Sequence, residues 1–256
     1  MTTLPRLQGC FVTGTDTEVG KTRISAALLH WLTQAGWRSA GFKPVAAGTS
    51  LIDGQTVNED VRALREASSL PLSDAEVGPY QFDTACAPHI AAALQGQVID
   101  RRAIVQAAHA LAARADRLVV EGVGGFCVPL GDDWDSADLA VDLQLPVVLV
   151  VGLRLGCINH ALLTAQVIRA RGLPLAGWIG NSVSPAMPWV AENVTTLRQR
   201  LQRLGVPCLG VVPWLSQPDP AAVAAHLDPA ALHSAFATIP APTTGKADAQ
   251  PIRRIE

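Results

Sequence analysis

The sequence holds no apolar run long enough to cross a bilayer. Its longest, 145–151, falls far short of the ~20 residues a spanning helix needs, so no membrane partner is expected. A long basic run is also missing. The 20 Lys and Arg against 22 Asp and Glu leave a net charge of −2, which argues against nucleic acid as the main partner but not against a single nucleotide. Aromatic side chains are few, with one Tyr and five Phe, and the aliphatic bias that results suits a buried parallel sheet. The five cysteines contain no C-x-x-C pair and are odd in number, as expected of reduced thiols in a cytoplasmic protein. The N-terminal residues carry one Arg and no apolar core, so no secretory signal is expected. What remains is a hydrophobic fraction of 49% and a mean hydropathy of +0.25, ample for a globular core.

The most informative stretch comes early, from Gly9 to Thr22: Gly-Cys-Phe-Val-Thr-Gly-Thr-Asp-Thr-Glu-Val-Gly-Lys-Thr. A short apolar strand feeds a Gly/Thr-rich turn, and Ser25 to Trp31 follows with helical patterning. A strand, a loop ending in Gly-Lys-Thr and a helix make the phosphate-loop pattern. Its chemistry is anion capture. The N–H groups left without partners at the helix start converge on phosphate oxygens, and the helix dipole favours negative charge there. Lys21 is expected to reach the β- and γ-phosphates, and the Thr22 hydroxyl to take a place on Mg²⁺. The usual spacing asks for glycine at position 15, where this chain has Thr15 and brings Gly14 one place early. An ordinary turn with an exposed lysine is the competing reading, and the flanking strand and helix argue against it.

Aliphatic runs then alternate with helical periodicity. Arg38 to Val45 reads as a strand in which Lys43-Pro44 marks the end, the edge where α/β proteins bind ligands. A solvated strand-end charge is the plainer reading of Lys43. Residues 46–59 read as loop, Asp60 as a helix-start carboxylate before 61–65, and 71–88 as irregular chain punctuated by proline. Helical spacing returns over 100–115. Arg117 to Glu121 is an aliphatic strand ending in an acid, followed by Gly122-Val123-Gly124-Gly125. After a phosphate loop this is a Walker B-like strand with Glu in place of Asp, and its carboxylate would orient Mg²⁺ directly or through water. A short helix over 137–143, a buried strand over 146–151 and a helix opening near 155–160 and running to Ala170 come next. His160, at that helix start, is assigned no chemistry. A strand over 175–181, a helix over 188–204 and a last strand with its exit over 208–215 complete the pattern, and disorder is expected from Pro240 onward. The alternation predicts an α/β fold: one P-loop NTPase-like domain over 1–236, a mostly parallel sheet with helices on both faces, and a C-terminal tail over 237–256.

Five segments in order, Thr13 to Thr22, Gly41-Phe42-Lys43-Pro44-Val45, Val120 to Gly125, Leu155-Gly156-Cys157-Ile158-Asn159-His160 and Ala176 to Asn181, resemble the dethiobiotin synthetase family. The resemblance runs from about Gly9 to Leu215. It implies an ATP- and Mg²⁺-dependent ligase of biotin synthesis: 7,8-diaminononanoate takes up CO₂ as a carbamate, ATP phosphorylates the carbamate, and the second amine closes the ring. Lys21 and Lys43 would be the catalytic cations. Thr22, Asp60 and Glu121 match the family's magnesium ligands. Nucleotide contacts are implied for Thr17, Glu18, Val19, Gly20, Lys21, Thr22, Arg23, Asp60, Glu121, Gly122, Val123 and Gly124. Asn181 would meet the adenine, Ser182 would be a further nucleotide contact, and Pro213, Trp214 and Leu215 would lie beside the base. Substrate contacts are implied for Lys43, Ala47, Gly156, Cys157, Ile158 and Asn159, the last four reaching the substrate carboxylate on the other subunit of a homodimer. Two departures stand out: Ala47 where a serine is common, and Asn193 where a tyrosine occurs.

Two rival functions make different demands on the same residues. A ParA/MinD-like regulatory ATPase would carry a second lysine early in the phosphate loop, where this chain has Thr15-Asp16-Thr17. An amidoligase of the cobyrinic-acid type would need an added glutaminase domain, for which no residues are expected to remain.

Overall fold

Glycine, threonine and the aliphatic residues of the first strand set the centre of the molecule. A computed structural model describes residues 6–52 and 55–237, so the first five residues and the tail expected from Pro240 onward fall outside it. Strand β1 (Gly9–Gly14) leads through the phosphate loop into α1 (Lys21–Gln34), and β2 (Ser39–Phe42) follows. Three short strands come next, β3 (Val45–Ala47), β4 (Ser50–Ile52) and β5 (Gln55–Val57), then α2 (Glu59–Ala67) and α3 (Asp74–Val77). After β6 (Tyr80–Phe82), α4 (Pro88–Leu94) and α5 (Arg101–Ala112), the regular alternation resumes. It comprises β7 (Arg117–Glu121), α6 (Ser136–Leu143), β8 (Val147–Leu153), α7 (Cys157–Ala170), β9 (Leu175–Ser182), α8 (Val190–Gln202) and β10 (Cys208–Val212). Helices α9 (Pro220–Ala224) and α10 (Pro229–Ala237) close the described chain.

The central sheet has six strands in the order β10-β9-β8-β1-β7-β2, and every pairing in it is parallel. Side chains alternate between its faces as a strand requires. In β8, Val148 and Val150 point into a core with α1 residues Ile24, Leu28 and Leu32, while Leu149 and Val151 point into a core with α7 and α8. Phe11 of β1 packs with Ile104 of α5 and Leu139 of α6. All seven residues of β8 are buried, which is why it reads as an unbroken apolar run. The expected P-loop NTPase-like fold, with helices on both faces, is what forms.

Three expectations need correcting. Residues 46–59 are not plain loop: β3 pairs in parallel with β6, and β4 with β5 in antiparallel. The stretch 71–88 contains α3, held by a Ser73–Glu76 capping box, and β6. The last strand stops at Val212, and Pro213-Trp214-Leu215 is its exit, as expected. Helices α9 and α10 were not anticipated, and they complete the α1 face through Val223, Leu232 and Phe236.

Register positions the site. Glu121 pairs with Val12, and Phe42 pairs with Val120, so the residue after Phe42 reaches the level of Glu121 at the sheet's C-terminal edge. Asp60 arrives from another direction. Asn58 caps α2 by accepting from the Val61 N–H (3.1 Å) while donating to the Gly48 carbonyl (2.7 Å), which fixes Asp60 in the first helical turn.

Candidate active site

The phosphate loop folds as its sequence requires. Gly20 caps α1 with φ 89° and ψ 30°, a left-handed conformation that favours glycine, and the Ile24 N–H bonds back to its carbonyl. The N–H groups of the first turn have no helical acceptors and are available to an anion. A Cβ at position 20 would come within 2.2 Å of the Asn181 amide nitrogen. Gly20→Ala is therefore expected to weaken ATP binding about tenfold or more, one 1.4 kcal/mol step, by displacing Asn181 and straining the loop together. Calorimetric titration checks this, and unchanged affinity would contradict the close packing.

Behind the loop, five side chains converge. Thr22 Oγ1 lies 2.7 Å from Asp60 Oδ1 and 2.8 Å from Glu121 Oε1. Lys43 Nζ lies 2.6 Å from Glu121 Oε1, 3.0 Å from Asp60 Oδ2 and 3.2 Å from the Gly122 carbonyl oxygen. Lys21 Nζ donates to the Asp16 carbonyl at 3.1 Å. Both lysines are buried, at 6% exposure for Lys21 and 2% for Lys43, yet their environments differ. For Lys21, burial and then the charge of Lys43 lower the pKa to about 8, outweighing the pull of Glu121, Asp60 and Asp16. For Lys43, burial opposes the charge, but Glu121 and Asp60 together raise its pKa above the ordinary lysine value. Burial likewise raises Asp60, and the ammonium of Lys43 with the Thr22 hydroxyl pulls it below the usual carboxylate range. The result is an ammonium held charged inside the protein, with a second one close enough to feel it.

Glu121 Oε2 is buried with no hydrogen-bond partner, an acceptor with unused capacity at the heart of the cluster. Among the described residues no three His, Cys, Asp or Glu side chains group into a self-sufficient metal cage. Two carboxylates and a hydroxyl are instead a set suited to magnesium, which keeps waters and takes the rest of its oxygens from substrate phosphates. The residues fit the ion.

A family model described as an AAA domain matches residues 8–222. The ATP-dependent dethiobiotin synthetase BioD of Aromatoleum aromaticum is 54% identical over 217 residues, covering 85% of this chain and 95% of that protein. The chain belongs to the dethiobiotin synthetase family. The ATP-dependent dethiobiotin synthetase BioD of Ralstonia nicotianae is 53% identical over 223 residues, covering 87% of this chain and 96% of that protein. Among solved structures, the cell division ATPase MinD of Pyrococcus furiosus aligns over 80% of this chain and 84% of that chain at 19% identity and a TM-score of 0.47, a distant likeness.

The other family positions are spread around the cluster. Asn181 is buried, its Nδ2 donating to the Val19 carbonyl at 2.9 Å and its Oδ1 left without a partner; Ser182 is buried beside it. Pro213 and Trp214 are exposed and Leu215 half-buried. Glu18 is exposed in a left-handed conformation (φ 59°), and Thr17 lies near Gly124, where an added Cβ would be 3.5 Å from its hydroxyl. Arg23 is not in the cluster and lines a neighbouring surface groove with Ala26, Glu66 and Pro218. Val123 lines a small cavity behind Glu121. Ala47 ends β3, half-buried, and offers no hydroxyl. Gly156, at φ 93°, caps α7; Cys157 is buried, Ile158 half-buried and Asn159 exposed. Asn193, at the variable tyrosine position, donates to the Trp189 carbonyl of its own helix at 2.7 Å.

Two residues at this site were missed from sequence. Asp16 accepts from the Thr17 N–H through its carboxylate (2.8 Å) and from Lys21 through its carbonyl, and its carboxylate pairs with Arg154. Arg154 directly follows β8, so a polar residue at a parallel strand's C-terminal end was the available signal. It ties the phosphate loop to the turn that opens α7.

Proposed function

We propose that this protein closes the ureido ring of dethiobiotin from 7,8-diaminononanoate, CO₂ and ATP, releasing ADP and phosphate. The observation that carries this reading is the pair of buried lysines, one at the phosphate loop and one at the strand edge, beside Thr22, Asp60 and Glu121. A carbamate is a poor electrophile until one of its oxygens becomes part of a leaving group. In the reaction the carbamate oxygen bonds to the γ-phosphorus as the bond to ADP breaks. The second amine then attacks the carbonyl carbon and expels phosphate. Such transfer depends on alignment and charge compensation, so no nucleophilic side chain is needed. Lys21 and the free N–H groups of α1 hold the terminal phosphate, and Lys43 holds the carbamate. Asn181 Oδ1, unpaired and buried, supplies an acceptor for the adenine amino group. Thr22, Asp60 and Glu121 would hold magnesium, which when bound would neutralise phosphate charge.

Homodimer formation belongs to the same proposal. Leu155 is 98% exposed, and Leu163 and Val167 add an apolar strip along α7, a surface suited to a second copy. A sedimentation mass of one chain would remove this part. All five cysteines are free, compatible with the reducing cytoplasm we also propose. Among the described residues no helix is long and apolar enough to cross a membrane. The decisive assay combines diaminononanoate, ATP and bicarbonate. Dethiobiotin and ADP are expected in equal amounts, and ATP hydrolysis indifferent to the diamine would instead favour a regulatory ATPase.

A further inference from the structure

The ammonium of Lys43 stands where a metal cation would have to act. Glu121 Oε1 and both oxygens of Asp60 face either Lys43 Nζ or Thr22 Oγ1, and Glu121 Oε1 is shared between the two at 2.6 and 2.8 Å. An ammonium and a divalent ion would compete for the same carboxylate oxygens. Two carboxylates this close to one hydroxyl repel each other unless a cation lies between them, and here Lys43 supplies it.

We propose that Lys43 is a tethered cation that closes the metal site of the nucleotide-free protein, and that magnesium arriving with the nucleotide must displace it. The released ammonium is then the one that meets the carbamate. This inference rests on the ATP- and magnesium-dependent reading above and adds a sequence to it: the carbamate site is not complete until the metal–nucleotide site is filled. Linkage makes the relation reciprocal, so a bound carbamate also favours the metal by holding Lys43 away. A lysine suits the task because its charge sits on a flexible stem, whereas an arginine would grip both carboxylates with a rigid fork.

The test is calorimetric titration of Mg²⁺ into the ADP-loaded protein, without diamine or bicarbonate. Lys43→Met is expected to bind Mg²⁺ about fivefold or more tightly than the wild type, the lower end of usual coupling between sites. Lys43→Arg is expected to bind it more weakly than the wild type. A simple long-range charge effect would leave Lys43→Arg unchanged, and that result overturns the displacement, as does unaltered or weaker binding by a folded Lys43→Met. Should Lys43→Met fail to fold, Lys43→Arg decides alone, weaker binding supporting the proposal and unchanged binding refuting it. Equal Mg²⁺ affinity in all three proteins removes the displacement only. No Mg²⁺ binding in any of them removes the metal reading and the displacement together.

Discussion

Lys43→Ala is expected to lower turnover by about 10²–10³-fold, the usual loss when one preorganised charge is removed from a developing anion, while ATP binding persists. The asymmetry follows from position. Lys43 reaches the cluster from the end of β2, whereas the free N–H groups, Lys21 and Asn181 that would grip the nucleotide belong to β1, α1 and β9. Alanine removes the cation assigned to the carbamate and leaves the phosphate loop intact. Lys21 cannot substitute, since its ammonium is held by the Asp16 carbonyl of the phosphate loop and is assigned to the phosphate. Steady-state kinetics should show the loss in kcat with no rise in the KM for ATP, because an interaction made mainly in the transition state affects both kcat and kcat/KM. Turnover equal to wild type would remove Lys43 from the chemistry.

Glu121→Ala should be the most damaging single change to stability. Glu121 is fully buried and gives Lys43 its shortest contact, 2.6 Å. Its removal leaves a charged ammonium inside the protein with Asp60, a partly exposed partner, as the remaining counter-ion. Breaking a buried pair from one side typically costs about 3–5 kcal/mol, much of it the penalty of the charge left behind. Denaturant unfolding should show that loss. Adding Lys43→Met to Glu121→Ala should recover part of it, since the uncompensated charge disappears with the lysine. A double variant no more stable than the single one would mean that the cost lies in the lost packing of Glu121 and not in charge.

The site was legible wherever its chemistry depends on local spacing. Gly20-Lys21-Thr22 and the acid ending an aliphatic strand announce themselves because a phosphate loop and its carboxylate each occupy one short segment. The six core strands were equally clear, since burial on both faces writes long aliphatic runs such as 147–151. The small strands β3 to β6 escaped because three residues carry no usable period. Helices α9 and α10 did leave a signal, Asp219-Pro220 and Asp228-Pro229, where an aspartate accepts the first N–H groups and proline starts the turn. Arg154 was harder. Its partner Asp16 is 138 residues away in sequence, and only the adjacency of β1 and β8 brings them together.

Asn181 has a double attachment, to the phosphate-loop backbone through its nitrogen and, as proposed, to the base through its oxygen. A nucleobase that the amide cannot match would tug on the same segment that aligns the reacting phosphorus. Fidelity for the purine is then felt in the rate of group transfer as well as in occupancy, so a guanine or pyrimidine triphosphate forced in at high concentration should still react slowly.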